Sequence, residues 1–162
     1  MTRLATLTAL LLALALAPAA DARIVPGKGM AGITMGMTEA QVKAVLGAPD
    51  SRKTLSDDFG PYLRLRYTSH GGLRLTMRDD ASGAPVLFSV TTEGKAERTK
   101  EGIGVGSSRK RLRAKLSGEK CERLGSFRHC SLGSFKVGRI VTDFRLNKQL
   151  RVVSVVVGRV VD

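Results

Sequence analysis

Few side chains in this sequence could do acid–base, nucleophilic or metal chemistry. There are two histidines, His70 and His129, and two cysteines, Cys121 and Cys130. Neither histidine has a serine or cysteine at a spacing that reads as nucleophile and base, so no catalytic triad can be assembled. The acidic pairs Asp57-Asp58 and Asp79-Asp80 sit in stretches rich in Gly, Ser or Pro, where carboxylates shape turns; calcium binding or acid–base work is the sharper alternative. Gly102, Gly104 and Gly106 look superficially like a phosphate loop, but no strand precedes them and no Lys-Ser/Thr pair follows. Cys121, His129 and Cys130 offer three metal ligands. As chain neighbours, however, His129 and Cys130 would face opposite sides of a strand, and a fourth ligand is not evident. The expectation is therefore no enzyme, no cofactor and no metal.

The other use of the cysteines is a disulfide, which needs an oxidising compartment. The N-terminus supplies one. Residues 1–22 have a short basic start at Arg3, an apolar run from Leu4 to Ala17, and Ala20-Asp21-Ala22 before Arg23. This reads as a signal peptide cleaved before Arg23. The apolar run of roughly 14 residues is shorter than the 18–20 that span a bilayer, which disfavours the alternative of a transmembrane anchor. No cysteine near the cleavage point offers a lipid anchor and no Arg pair marks a folded-protein export route. The mature chain is expected to be periplasmic or extracellular, without a lipid anchor or transmembrane segment. There, Cys121 and Cys130 should pair, with a loop-closure contribution of about 2.5–3 kcal/mol.

The elements that must carry these residues repeat. Gly32 to Gly47 reads GITMGMTEAQVKAVLG, and Gly102 to Ser117 reads GIGVGSSRKRLRAKLS without a gap. Each stretch opens a short helix, capped by Thr38 in the first and Ser108 in the second. Thr38 and Gln41 have capping-box spacing, Met37 and Val42 can form a hydrophobic staple, and Gly47 with Pro49 ends the helix. Alternating strands follow: Leu63, Leu65 and Tyr67; then, after a His70-Gly71-Gly72 turn, Leu73, Leu75 and Met77; then Val86 to Thr91. The second half has strands near Phe127 to Leu132, Lys136 to Leu146 and Leu150 to Val161, with a turn at Asn147-Lys148-Gln149. The predicted fold is α+β, two tandem helix-plus-three-strand repeats with short helices on one face of an antiparallel sheet. Its divisions are 1–22 as signal, 23–30 as an N-terminal segment, 31–94 as the first repeat and 95–162 as the second.

GITMGMTEAQVKAVLGAPD, from Gly32 to Asp50, resembles the signature of the BamE/SmpA/OmlA family: a helix-opening Gly-Met-Thr, then Gln-Val and a closing Leu-Gly-x-Pro. Duplication of such a unit is similar to the β-lactamase inhibitor protein fold. The resemblance implies an exported, non-catalytic protein-binding domain of the bacterial envelope, serving assembly or inhibition. The family's lipid-anchoring Cys is absent here, and no inhibitory contact residue can be aligned.

Charge separates the two halves. The chain carries 27 Lys+Arg against 14 Asp+Glu, a net charge of +13. Residues 31–94 hold seven basic and seven acidic side chains, whereas 95–162 hold seventeen and six. Two surfaces become candidates. One is the sheet face away from the helices, where Arg64, Arg66, Arg74 and Arg78 could meet an acidic partner, joined in the second half by Val153, Val155 and Val157. Outward arginines also serve simply to discourage aggregation. The other is the run Arg109, Lys110, Arg111, Arg113 and Lys115, suited to an anionic lipid or polymer, or else a solvated face. The run has no aromatic residue to stack bases, which argues against specific nucleic-acid recognition. An unidentified envelope or secreted protein is the expected partner.

Overall fold

The computed structural model describes residues 23–80 and 83–161. The predicted signal peptide, residues 1–22, lies outside them. The chain opens with three two-residue strands, β1 (Ile24–Val25), β2 (Gly29–Met30) and β3 (Ile33–Thr34), paired into a small sheet. Ile24, Met30 and Ile33 are almost fully buried, so this ribbon plugs into the main core. Gly29 is required there: a Cβ at this position would sit 1.9 Å from the Ile33 carbonyl oxygen.

Helix α1 (Glu39–Leu46) starts at Thr38, whose side chain accepts from Gln41 N–H while Gln41 Oε1 accepts from Thr38 N–H at 2.9 Å. This reciprocal pair satisfies two donors that a helix start would otherwise leave unpaired. Val42 and Leu46 face the core. The helix stops at Gly47, at φ +79, and its last carbonyls find side-chain donors: His70 Nε2–H reaches Leu46 O at 3.0 Å and Tyr67 O–H reaches Gly47 O at 3.3 Å. Helix α2 (Arg109–Lys115) is capped by Ser108 and buries Leu112. Without a Gln at the third position it has only half of the first helix's cap.

Between and after the helices run β4 (Ser51–Asp57), β5 (Gly60–Tyr67), β6 (Leu73–Asp79), β7 (Pro85–Thr92), β8 (Lys120–Leu124), β9 (Phe127–Leu132), β10 (Ile140–Leu146) and β11 (Val152–Arg159). They form one antiparallel sheet in the order β4-β5-β6-β7-β11-β10-β9-β8. Each half thus supplies a four-strand meander, and the last strand of each meets the other at the centre. Leu65, Leu75, Val90, Phe144, Val155 and Val157 on the inner face form one core with Val42, Leu46, Leu112 and Leu116.

This corrects the predicted α+β fold of two helix-plus-three-strand repeats. The described residues are mostly β, with two short helices, four strands rather than three in each half of the main sheet, and a separate three-stranded sheet. The unforeseen strands are the ribbon and the two sheet edges. β4 exposes nearly every residue and β8 is a short run of Lys, Cys, Glu, Arg and Leu. Neither therefore shows the apolar alternation that a half-buried strand writes into sequence. Among the described residues, no helix is long and apolar enough to cross a membrane.

Candidate functional site

The outer face of the main sheet, opposite the helices, carries Arg64, Arg66, Arg74, Arg78 and His129 among the side chains singled out from the sequence. The register sets one row across all eight strands: Ser51, Arg66, Arg74, Thr91, Val156, Asp143, Ser131 and Lys120. A parallel row holds Lys53, Arg64, Thr76, Ser89 and Gly158. Alternation explains both rows, since Leu63, Leu65 and Tyr67 take the inner positions of β5 and so force Arg64 and Arg66 outward.

At the β4 end these rows enclose a cavity of about 290 Å³ lined by Ser51, Lys53, Arg64, Arg66 and Arg74. Arg66 stands directly across from Arg74. Arg64 donates to Tyr62 Oη at 2.7 Å and lies 5.5 Å from that ring's centroid, but its Nε–H is shielded from solvent and has no acceptor. Arg74 reaches the exposed Glu93 at 2.9 Å. Among the described residues, neither Lys53, Arg64 nor Arg66 has a carboxylate partner.

Arg78 is otherwise engaged. Its guanidinium lies within 5.1–5.8 Å of the Phe59, Tyr62 and Phe88 ring centroids and pairs with Asp57, and only 14% of the side chain is exposed. It pins the β4–β5 turn to the sheet, which removes it from the partner-binding candidates. Asp57 also accepts the Phe59 N–H at 3.0 Å, while Asp80 accepts the Gly83 N–H at 2.9 Å through its carbonyl, so both acidic pairs build turns.

The valines need a second correction. Val155 and Val157 are fully buried, facing inward opposite Phe144 and Thr142. Leu146 pairs with Val152 and Arg145 with Ser154, leaving Val153 as the extra residue of a bulge, 43% exposed. The bulge shifts the alternation by one, so Val156 takes the outer position.

At the other end of the face the structure assembles a cluster that the sequence did not reveal. His129 Nδ1–H donates to Asp143 Oδ1 at 2.8 Å, and Phe135 meets the imidazole edge-on with centroids 5.9 Å apart. With Phe127 and Arg145 they line a cavity of about 270 Å³. Phe127 and Phe135 are 68% and 54% exposed. Strand alternation sets His129 and Cys130 on opposite faces, but nothing in the sequence says that Asp143, on a neighbouring strand, lies beside His129. His129 Nε2 is buried without a hydrogen-bond partner among the described residues.

Cys121 and Cys130 stand opposite each other on β8 and β9 and form a disulfide, so neither thiolate is free for a metal. Among the described residues, no three His, Cys, Asp or Glu side chains group as metal ligands. Gly102, Gly104 and Gly106 form the entry to α2, where Gly104 N–H donates to Ser107 Oγ at 3.2 Å. On the helix side, Arg109, Lys110, Arg111, Arg113 and Lys115 are exposed around buried Leu112, and Arg113 meets Glu119 at 3.3 Å. Lys115 also lines a cavity of about 660 Å³ with Ile24, Leu116, Leu132 and Lys100. The two candidate surfaces thus lie on opposite sides of the molecule. No protein-family profile, curated protein or solved structure matches the chain, so the likeness to the BamE/SmpA/OmlA family rests on the residues from Gly32 to Asp50 alone.

Proposed function

We propose that this chain is an exported, non-catalytic binding module that recognises an acidic envelope or secreted protein through the outer face of its sheet. The observation that carries this is the set Lys53, Arg64 and Arg66 beside Arg74, without a carboxylate partner among the described residues and on a face that neither described helix covers. Like charges directly opposite each other across strands oppose folding, and Arg66 against Arg74 is such a pair. A face that keeps them, next to the half-buried Thr76, Thr91 and Val156 and with exposed Phe127 and Phe135 at its far end, has the composition of a protein interface: arginine and aromatic anchors around a less charged centre. The resemblance of Gly32 to Asp50 to the BamE/SmpA/OmlA signature supports the same reading.

The test is capture from an envelope extract with residues 23–162, comparing the parent chain with an Arg66→Glu/Arg74→Glu variant and washing at low and high salt. Screening shortens the Debye length from about 10 Å at 0.1 M to about 3 Å at 1 M, so a packed interface survives where a charge-only contact fades. One protein retained by the parent through high salt, and lost by the variant, is the expected result. A second reading, peripheral attachment to anionic lipid or polymer, is supported by the basic face of α2 beside the partly apolar cavity at Lys115 and Leu116. Salt-labile retention abolished by Arg109→Gln/Lys110→Gln/Arg113→Gln, and indifferent to the sheet variant, would transfer the function to that helix.

A further inference from the structure

We infer that the cationic cavity reads two carboxylates spaced two residues apart on an extended acidic segment of the partner. This deepens, and rests on, the proposal that the outer face is the binding surface. Arg64 and Arg66 are two apart on β5, on the same face of the sheet. Each belongs to a cross-strand row with a second cation: Arg66 with Arg74, and Arg64 with Lys53. The two rows are therefore separated by two strand residues, about 6.8 Å at the usual rise of about 3.4 Å per residue. An extended peptide has the same repeat, so a Glu-x-Glu or Asp-x-Asp segment lying along β5 presents one carboxylate to each row. A helical segment, or adjacent carboxylates pointing to opposite sides of an extended chain, does not match.

Several other arginines show what the site lacks, while Arg98, Arg123, Arg151 and Arg159 donate to backbone carbonyls instead. Arg52 is held by Glu39, Arg78 by Asp57 and Arg113 by Glu119, and Arg145 lies near Asp143. The chain supplies its own carboxylates to those guanidinium groups, yet among the described residues none reaches Lys53, Arg64 or Arg66 inside their concavity. Arg64 Nε–H is a donor still lacking an acceptor. The contact between Arg74 and exposed Glu93 shows that this guanidinium can take a carboxylate, and Glu93, 64% exposed, can be displaced at little cost by an incoming one. Ser51 adds a hydroxyl donor at the end of the Arg66 row.

The experiment uses the chain from residue 23 to 162 and two blocked peptides of equal length and charge, threonine-based, one with glutamates at positions two and four and one with them at positions two and three. Titrations are followed through the arginine Nε–Hε resonances at constant ionic strength. The expected result is saturable shifts at Arg64, Arg66 and Arg74, with the alternate-spaced peptide binding at least fivefold more tightly. That preference should vanish in Arg66→Gln and in Lys53→Gln, both solvent-exposed positions, with the far-UV circular dichroism unchanged. Equal affinity for the two peptides, or preference retained in both variants, overturns the inference. The outer-face reading fails separately, if Arg66→Glu/Arg74→Glu leaves capture of the partner protein intact; a partner lost by that variant while the peptides remain undiscriminated leaves the face standing and removes only the two-carboxylate rule.

Discussion

His129 and Asp143 meet diagonally across β9 and β10: the register sets His129 against Arg145 and Asp143 against Ser131, yet the imidazole Nδ1–H reaches Asp143 Oδ1 at 2.8 Å. With only 9% and 17% of the two side chains exposed, the carboxylate fixes the ring's orientation in a site that water barely enters. Asp143→Ala strands a buried donor and is expected to cost about 1–3 kcal/mol. Asp143→Asn keeps an acceptor oxygen and should cost less. Urea unfolding, with the slope unchanged, distinguishes the two.

Arg78 is held by three aromatic rings and Asp57, so its removal exposes the rings as well as deleting a charge. Arg78→Ala should destabilise by about 2 kcal/mol, the upper range for a desolvated cation–π contact. Arg78→Lys should recover only part of this, because an ammonium does not stack its plane on the rings. Thermal midpoints of the three proteins should fall in the order Arg, Lys, Ala. Partner capture at high salt should not change.

Two glutamates tilt stability with pH in opposite directions. Hydrogen bonds from Arg52 and then Lys43 hold the Glu39 carboxyl below its ordinary value of 4.5, whereas burial pushes Glu97 above it. A lowered carboxylate contributes stability that is present above the unfolded value and lost as pH falls through the folded one. A raised carboxylate contributes stability that is present below the unfolded value and lost as pH rises through the folded one. Glu97→Gln should therefore be more stable than the parent at neutral pH and lose that advantage at about pH 4, while Glu39→Gln should be less stable at neutral pH and converge with the parent on acidification. Chemical unfolding of each variant across this range checks the signs.

The Cys121–Cys130 bond closes the β8–β9 hairpin at a sheet edge, with Cys130 buried beside Phe144. Replacing both cysteines by alanine is expected to cost about 2–3 kcal/mol by the loop-closure argument. Hydrogen exchange should rise first at residues 120–132 and spread little toward β5 and β6. Uniform loss of protection would show the hairpin to be integral to the whole sheet.

What was legible in the sequence was what local rules write there. Thr38 with Gln41 marked the first helix start, Gly47 its end, and the alternation of Leu63, Leu65, Tyr67, Leu73, Leu75 and Met77 placed the arginines between them on the outer face. The cysteine pair followed from the expectation of an oxidising compartment and from the lack of a third cysteine to compete. What failed depends on the neighbours of a residue in space. Val155 and Val157 were put on the wrong side because a bulge at Val153 shifts the count by one, and nothing in a run of valines marks a bulge. β4 and β8 were missed because edge strands with few apolar residues carry no alternating pattern. The same holds for Arg78, whose rings come from three separate strands and turns, and for His129 with Asp143.

The meeting of β7 with β11 at the middle of the sheet also orders events in time. β7 stays an open edge until β11, much further along the chain, has been made and has found it at Ser89 to Thr92. During synthesis the first meander therefore waits with an unpaired inner rim, a template for wrong partners. Passage across a membrane as an unfolded thread would spare it that wait, because both rims would then become available together on the far side.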